Sequence, residues 1–111
     1  MQVSKRTVTA TIANGTTTST EIDLTKTDIV GIYIPAAFTG TAITFTSAFT
    51  SGGTFGSVRD GAGAALSLTV AQGQFVKVSP ADFIGILYLK IVSGSTEGAA
   101  RELRVAVRPL S

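Results

Sequence analysis

The side chains able to do chemistry in this sequence are of few kinds. Histidine and cysteine are both absent, which removes the commonest general base, the usual transition-metal ligands and every Ser-His or Cys-His nucleophile pair. Their absence also leaves no disulfide framework. What remains for catalysis is a carboxylate pair or a Ser-Lys arrangement. The carboxylates Asp23, Asp28, Asp60 and Asp82 fall at separated loop edges, and no stretch gathers the several oxygen ligands of a Ca²⁺ loop. Asp60 stands beside Gly61, where a type I′ or bulged turn accounts for the pair. Asp82, in "PADF", has the position of a cap on a short helical turn. The sequence therefore predicts no enzyme, no metal site and no cofactor.

Binding chemistry is equally sparse. "GAGAAL" and "GGTFG" carry glycines at short spacing, but lack the third glycine, the following lysine and the strand-to-helix setting that cradles a phosphate. "NGT" at Asn14 matches a glycosylation acceptor and reads better as a turn. A sugar platform needs exposed aromatic faces; tryptophan is absent, and most of the six Phe and two Tyr fall at core-facing positions or strand ends. Tyr33, Phe38 and Tyr88 are the candidates for exposure, and core or subunit contact is the favoured reading of them. Nine Lys and Arg against seven Asp and Glu leave a net charge of +2, too small and too spread to indicate nucleic acid. The cations gather toward the two ends of the chain, with Lys5 and Arg6 at the start and Arg101, Arg104 and Arg108 near the finish. If the ends are neighbours, as is common in a small domain, one end of the molecule is cationic.

The elements that must position these residues follow period two. Val8, Ala10 and Ile12 alternate with Thr7, Thr9 and Thr11, and Ile22 and Leu24 repeat the pattern. "IVGIYI", residues 29 to 34, is apolar at every side-chain position and ends at Pro35, as expected for a mid-sheet strand covered on both faces. In "AITFTSAFTSGGTFGSV", residues 42 to 58, Ile43, Phe45 and Phe49 share one face with Ser47. Gly52 and Gly53 supply the positive-φ reversal of a hairpin that returns through Phe55 and Val58. "RDGAGA", "AQGQ" and the corner "SPADFIG" punctuate further strands. In the last of them Leu103, Val105 and Val107 alternate with Glu102, Arg104, Ala106 and Arg108.

The expectation is one all-β domain, a single antiparallel β-sandwich of eight or nine short strands over residues 7–111, jelly-roll or immunoglobulin-like. Residues 1–6, "MQVSKR", are expected to form a flexible arm that orders against a partner. The N-terminus lacks the apolar run of a signal peptide and no stretch approaches the ~18 apolar residues of a membrane span, so the chain is expected to be made in a cytoplasm, away from membranes. Apolar residues make up 44% of the chain and charged ones only 14%, so hydroxyls and small side chains carry the surface. Such a surface suits flat contact with other protein.

The order of segments adds a resemblance. "VGIYIPAAFTGTAITFTSAFTSGGTFGSV", "SPADFIGILYLKIVSGS" and "RELRVAVRPL" follow one another over residues 29 to 108. This arrangement resembles small tailed-bacteriophage virion proteins of the head-gene region, with their "I-x-x-P-A-x-x-x-G-x-x-[IL]-T-F" segment, Gly-containing hairpin, "DPADF-x-G" corner and "YLK-[IL]-x-SG" strand. Two departures remove carboxylates: Ser51-Gly52-Gly53 stands where that pattern has "S-x-D-G", and Ser79 replaces the Asp that opens the corner. The resemblance implies a capsid decoration or cement protein on the virion surface, bound to the major capsid protein and to itself as a homotrimer. A trimer is expected to use an edge strand with Tyr33 or Phe38, and the shell to meet Lys5, Arg6, Arg101, Arg104 and Arg108. The competing expectations are a glycan- or receptor-binding module of a head fibre, tail fibre or tail tip, and a neck or tail component.

Overall fold

The computed structural model describes residues 7–109. Its strands are β1 (Thr7–Ile12), β2 (Ile22–Asp23), β3 (Thr27–Tyr33), β4 (Ala42–Ala48), β5 (Gly56–Ser57), β6 (Ser67–Thr69), β7 (Phe75–Lys77), β8 (Tyr88–Ser93) and β9 (Arg101–Pro109), with a 3-10 turn, Pro80–Phe83, before β8. Two antiparallel sheets result, β1-β9-β3-β7 and β2-β8-β4-β5, and β6 lies beside β5 along the same side of β4. The two-sheet sandwich expected from the alternation is present.

Its connectivity is that of one long hairpin. β4 pairs with β5 and β6, β3 with β7, β2 with β8, and β1 with β9. Successive nested pairs fall alternately into the two sheets, which is the strand order of a jelly roll. Alternation decides which side chains enter the gap between sheets: Ile43 and Phe45 from β4, Leu89 and Ile91 from β8, and Leu103, Val105 and Val107 from β9 are all buried. The Phe45 ring meets Phe83 edge to face, 5.1 Å between centroids, which anchors the 3-10 turn to the core.

Three local expectations are corrected. β3 is an inner strand, as expected, but its outer face is buried only at Gly31, beneath the Phe75 ring, and pairing with β9 shifts register between Ile29 and Gly31. The bulge changes the phase of the alternation, so Ile29 and Ile32 both point inward although they are three residues apart. The apolar run thus reports a bulge rather than two covered faces. At the hairpin, Gly52 has φ 71° but Gly53 has no positive φ; a side chain at Gly53 would strike the Thr50 hydroxyl. β4 also ends at Ala48, so Phe49 leaves the Ile43–Phe45 face and is 84% exposed.

The corner behaves differently from its expected cap. Ser79 is the N-cap residue without a side-chain hydrogen bond, and Asp82 lies inside the turn, its N–H donating to the Ser79 carbonyl at 3.0 Å. Asp60 is the turn residue expected, its carboxylate accepting from the N–H groups of Ala62 and Ala64 at 2.9 and 3.0 Å. The first described residue, Thr7, stands opposite Ala106. The outermost nested pair therefore brings the start of β1 beside the end of β9.

Candidate functional site

The residues singled out as contacts separate into several environments. Lys5 and Arg6 lie outside the described residues. Phe38, expected on the surface, is 1% exposed: the turn after Pro35 folds it inward, its N–H donating to the Pro35 carbonyl at 3.2 Å and its carbonyl accepting from Gln72 Nε2 at 2.9 Å. Arg101 is also unavailable, because its Nε donates to Glu97 Oε1 at 2.9 Å in a largely buried pair. Arg108 lies exposed against Asp28, 3.4 Å away. Arg101 and Arg108 are seven residues apart on one strand, about 23 Å, so the cations run along β9 rather than collecting at one end.

Arg104 and Tyr33 share a row. Across the outer face of one sheet, Thr9, Arg104, Tyr33 and Phe75 stand side by side in register. Tyr33 is 39% and Phe75 53% exposed. The Phe75 ring leans over Gly31, where any side chain would collide with it. Aromatic cover of a strand glycine supports the sheet and leaves a surface of two rings beside a guanidinium.

Most of the carboxylates discussed are tied into the scaffold. Glu97 is fully buried in the loop between β8 and β9. Its oxygens accept from the N–H of Thr39 at 2.9 Å, the N–H of Gly40 at 3.2 Å, the Ser93 hydroxyl at 2.9 Å and Arg101. Burial pushes its carboxyl pKa up, but the donors from Thr39, Arg101, Ser93 and Gly40 outweigh it and the net shift is downward. Glu21, half-buried, accepts from the Ser51 hydroxyl at 2.6 Å and the Gly52 N–H at 2.8 Å, which hold its carboxyl below the ordinary value. The hairpin that lacks its own acid thus receives one from the β1–β2 connection. Asp23 accepts from the Thr25 hydroxyl and N–H and is lowered in the same way. Among the described residues no three acids converge where they could hold a metal ion.

The least satisfied surface is one end of the sandwich. There Phe49 is joined by Ile84, 73% exposed, and by Leu87. The loop 84–87 divides two depressions. A groove of about 340 Å³ lies between the segments 24–29 and 83–87, floored by Leu24, Ile29 and Phe83. A smaller one of about 110 Å³ lies between that loop and Phe49, with Thr54 on its rim. Sequence reading passed over this end because "DFIG" and "AFTS" sit at strand ends, where period two gives no facing. The available signal was the doublet Phe83-Ile84: in a turn, two adjacent large side chains cannot both enter the core.

No family model, curated protein or solved structure matches the chain. No helix among the described residues is long and apolar enough to cross a membrane. What the surface offers chemically is apolar contact at one end, an aromatic and cationic row on one sheet, and acids occupied by hydrogen bonds in turns and loops.

Proposed function

We propose that the protein is a non-enzymatic structural component of a tailed-bacteriophage virion, a decoration or cement protein that bridges capsomers on the outer head surface. One observation carries the reading: large apolar side chains, Phe49 and Ile84 above all, remain outside a cross-braced two-sheet body, while Glu97, Glu21, Asp23 and Asp60 are engaged in holding loops together. Exposed apolar surface at this density marks contact with other protein. The resemblance over residues 29 to 108 supplies the partner, the major capsid protein. Packed DNA pushes a shell outward, and a small module spanning neighbouring capsomers resists their separation; each contact is modest and many copies act together. Jelly rolls build both viral shells and lectins, so the architecture does not separate this reading from a glycan-binding one.

The Tyr33–Phe75 pair beside Arg104 favours that second reading, a receptor- or glycan-binding module of a head or tail fibre. One experiment parts the two. Electron microscopy of virions carrying the chain, with co-sedimentation of purified chain and emptied heads, is expected to show saturable occupancy of the outer shell. Density confined to a fibre, neck or tail tip, with no binding to heads, would overturn the decoration role.

A further inference from the structure

From the apolar end we infer that the chain contacts a second copy of itself there, Phe49 of each copy seated in the 340 Å³ groove of the other. The inference does not depend on the virion reading, although it uses the same exposed side chains: a pair closes this end and leaves the sheet faces and the other end to meet a shell. Knob and groove lie on the same end of the molecule, separated only by the loop 84–87, whose residues Gly85, Ile86 and Leu87 border both depressions. A two-fold axis through that loop exchanges the two features and makes both contacts at once, as an isologous interface requires. Knob and groove on opposite sides would suit a ring; side by side they suit a pair, in place of the three-fold assembly expected from the resemblance.

Chemistry and area agree with this occupant. The groove is lined mainly by aliphatic and aromatic groups, with Thr25 and Thr27 on one wall, and its charged member, Asp28, already faces Arg108 at 3.4 Å, so the complement is an uncharged ring rather than an ionic group. Phe49, Ile84 and Leu87 expose on the order of 350 Å² per copy at roughly 200 Å² for a full side chain. With the groove walls added, the contact reaches the low end of specific interfaces, below the ~800 Å² per partner of a standard one. A contact of this size belongs with weak, transient associations, so the range in which to look for the pair is about 10 µM to 1 mM.

Sedimentation of the full chain across that concentration range is expected to show a monomer–dimer equilibrium. Phe49→Asp and Ile84→Asp each should weaken it at least about 30-fold; both side chains are exposed, so a melting temperature unchanged at concentrations too dilute for the pair will show that the fold survives. The sequence has no cysteine, which permits a clean proximity test: chain carrying Thr54→Cys, mixed with chain carrying Thr27→Cys in the presence of oxidised glutathione, should form mixed disulfides faster than either forms its own. A wild-type monomer throughout, a trimer, a dimer indifferent to Phe49→Asp, or no preference for the mixed disulfide would overturn the inference.

Discussion

Glu97 shows how one side chain can fix a loop architecture that no strand pattern imposes. Its carboxylate joins the loop after β3 to the loop before β9 through the Thr39 and Gly40 amides, Ser93 and Arg101. The backbone of Glu97 is held as well, its N–H donating to the Thr16 carbonyl at 3.1 Å and its carbonyl accepting from the Gly15 N–H at 2.8 Å. Glu97→Gln keeps the shape but removes the charge that balances Arg101 and turns one acceptor oxygen into a donor facing other donors. We expect a loss of about 3 kcal/mol, measured by urea unfolding at neutral pH. The same group sets an acid response. Because its folded pKa lies below the ordinary 4.5, the stability it provides is fully present above that value and is lost as pH falls through the folded pKa. Urea midpoints from pH 7 to 2.5 should therefore hold down to about 4.5 and then decline. In Glu97→Gln the decline should be shallower, leaving the part due to Glu21 and Asp23, whose shifts have the same sign. Equal acid slopes in the two proteins would remove Glu97 from this role.

At the scale of elements, the β4–β5 hairpin depends on one left-handed residue. Gly52 has φ 71° and donates its N–H to Glu21, so a replacement there meets backbone strain even though space around it is open. Gly52→Ala should cost about 1 kcal/mol in thermal or urea unfolding; no change would mean that the turn relaxes freely. This hairpin, β1, β8 and β9 were legible from the sequence because alternation is local: each residue's facing follows from its neighbour's. The β3 bulge was not, since Ile29-Val30-Gly31-Ile32 reads the same with or without an extra residue until β9 is placed beside it. Glu97 was illegible for a related reason, as its acceptor bonds reach residues 57 and 58 positions away and its loop has no period. Phe38 and Phe49 were misplaced in opposite directions, one folded inward by the Pro35 turn and one released where β4 stops. The side chains left exposed at the strand ends depend on such chain-end geometry, which alternation along a strand does not carry.

For the whole molecule, nesting gives folding an order. Ser47 and Gly56 pair across 9 residues in the innermost hairpin, while Thr7 and Ala106 pair across 99 in the outermost. Closing the outer pair directly costs about 2 kcal/mol more loop entropy than closing the inner one; once β4–β5, β3–β7 and β2–β8 have formed, most of that distance is already closed. The jelly roll should zip from the hairpin tip toward the chain ends, with β1 and β9 docking after the transition state. Val105 in β9 and Phe45 in β4 are both buried, and Val105→Ala and Phe45→Leu should each destabilise by about 1 to 3 kcal/mol. Their kinetics should differ. Phe45→Leu is expected mainly to slow folding, whereas Val105→Ala leaves the folding rate nearly unchanged and speeds unfolding roughly threefold to a hundredfold across that range, a φ-value below about 0.3. Chevron plots of the two variants decide the matter: a high φ at Val105 with a low one at Phe45 would mean that the ends meet first and the hairpin tip follows. Unfolding that begins by releasing the end of β9 from β3 would start beside the groove, since Pro109 pairs with Thr27 on its wall. A partner seated there, whether shell or second copy, should accordingly slow unfolding more than it speeds folding.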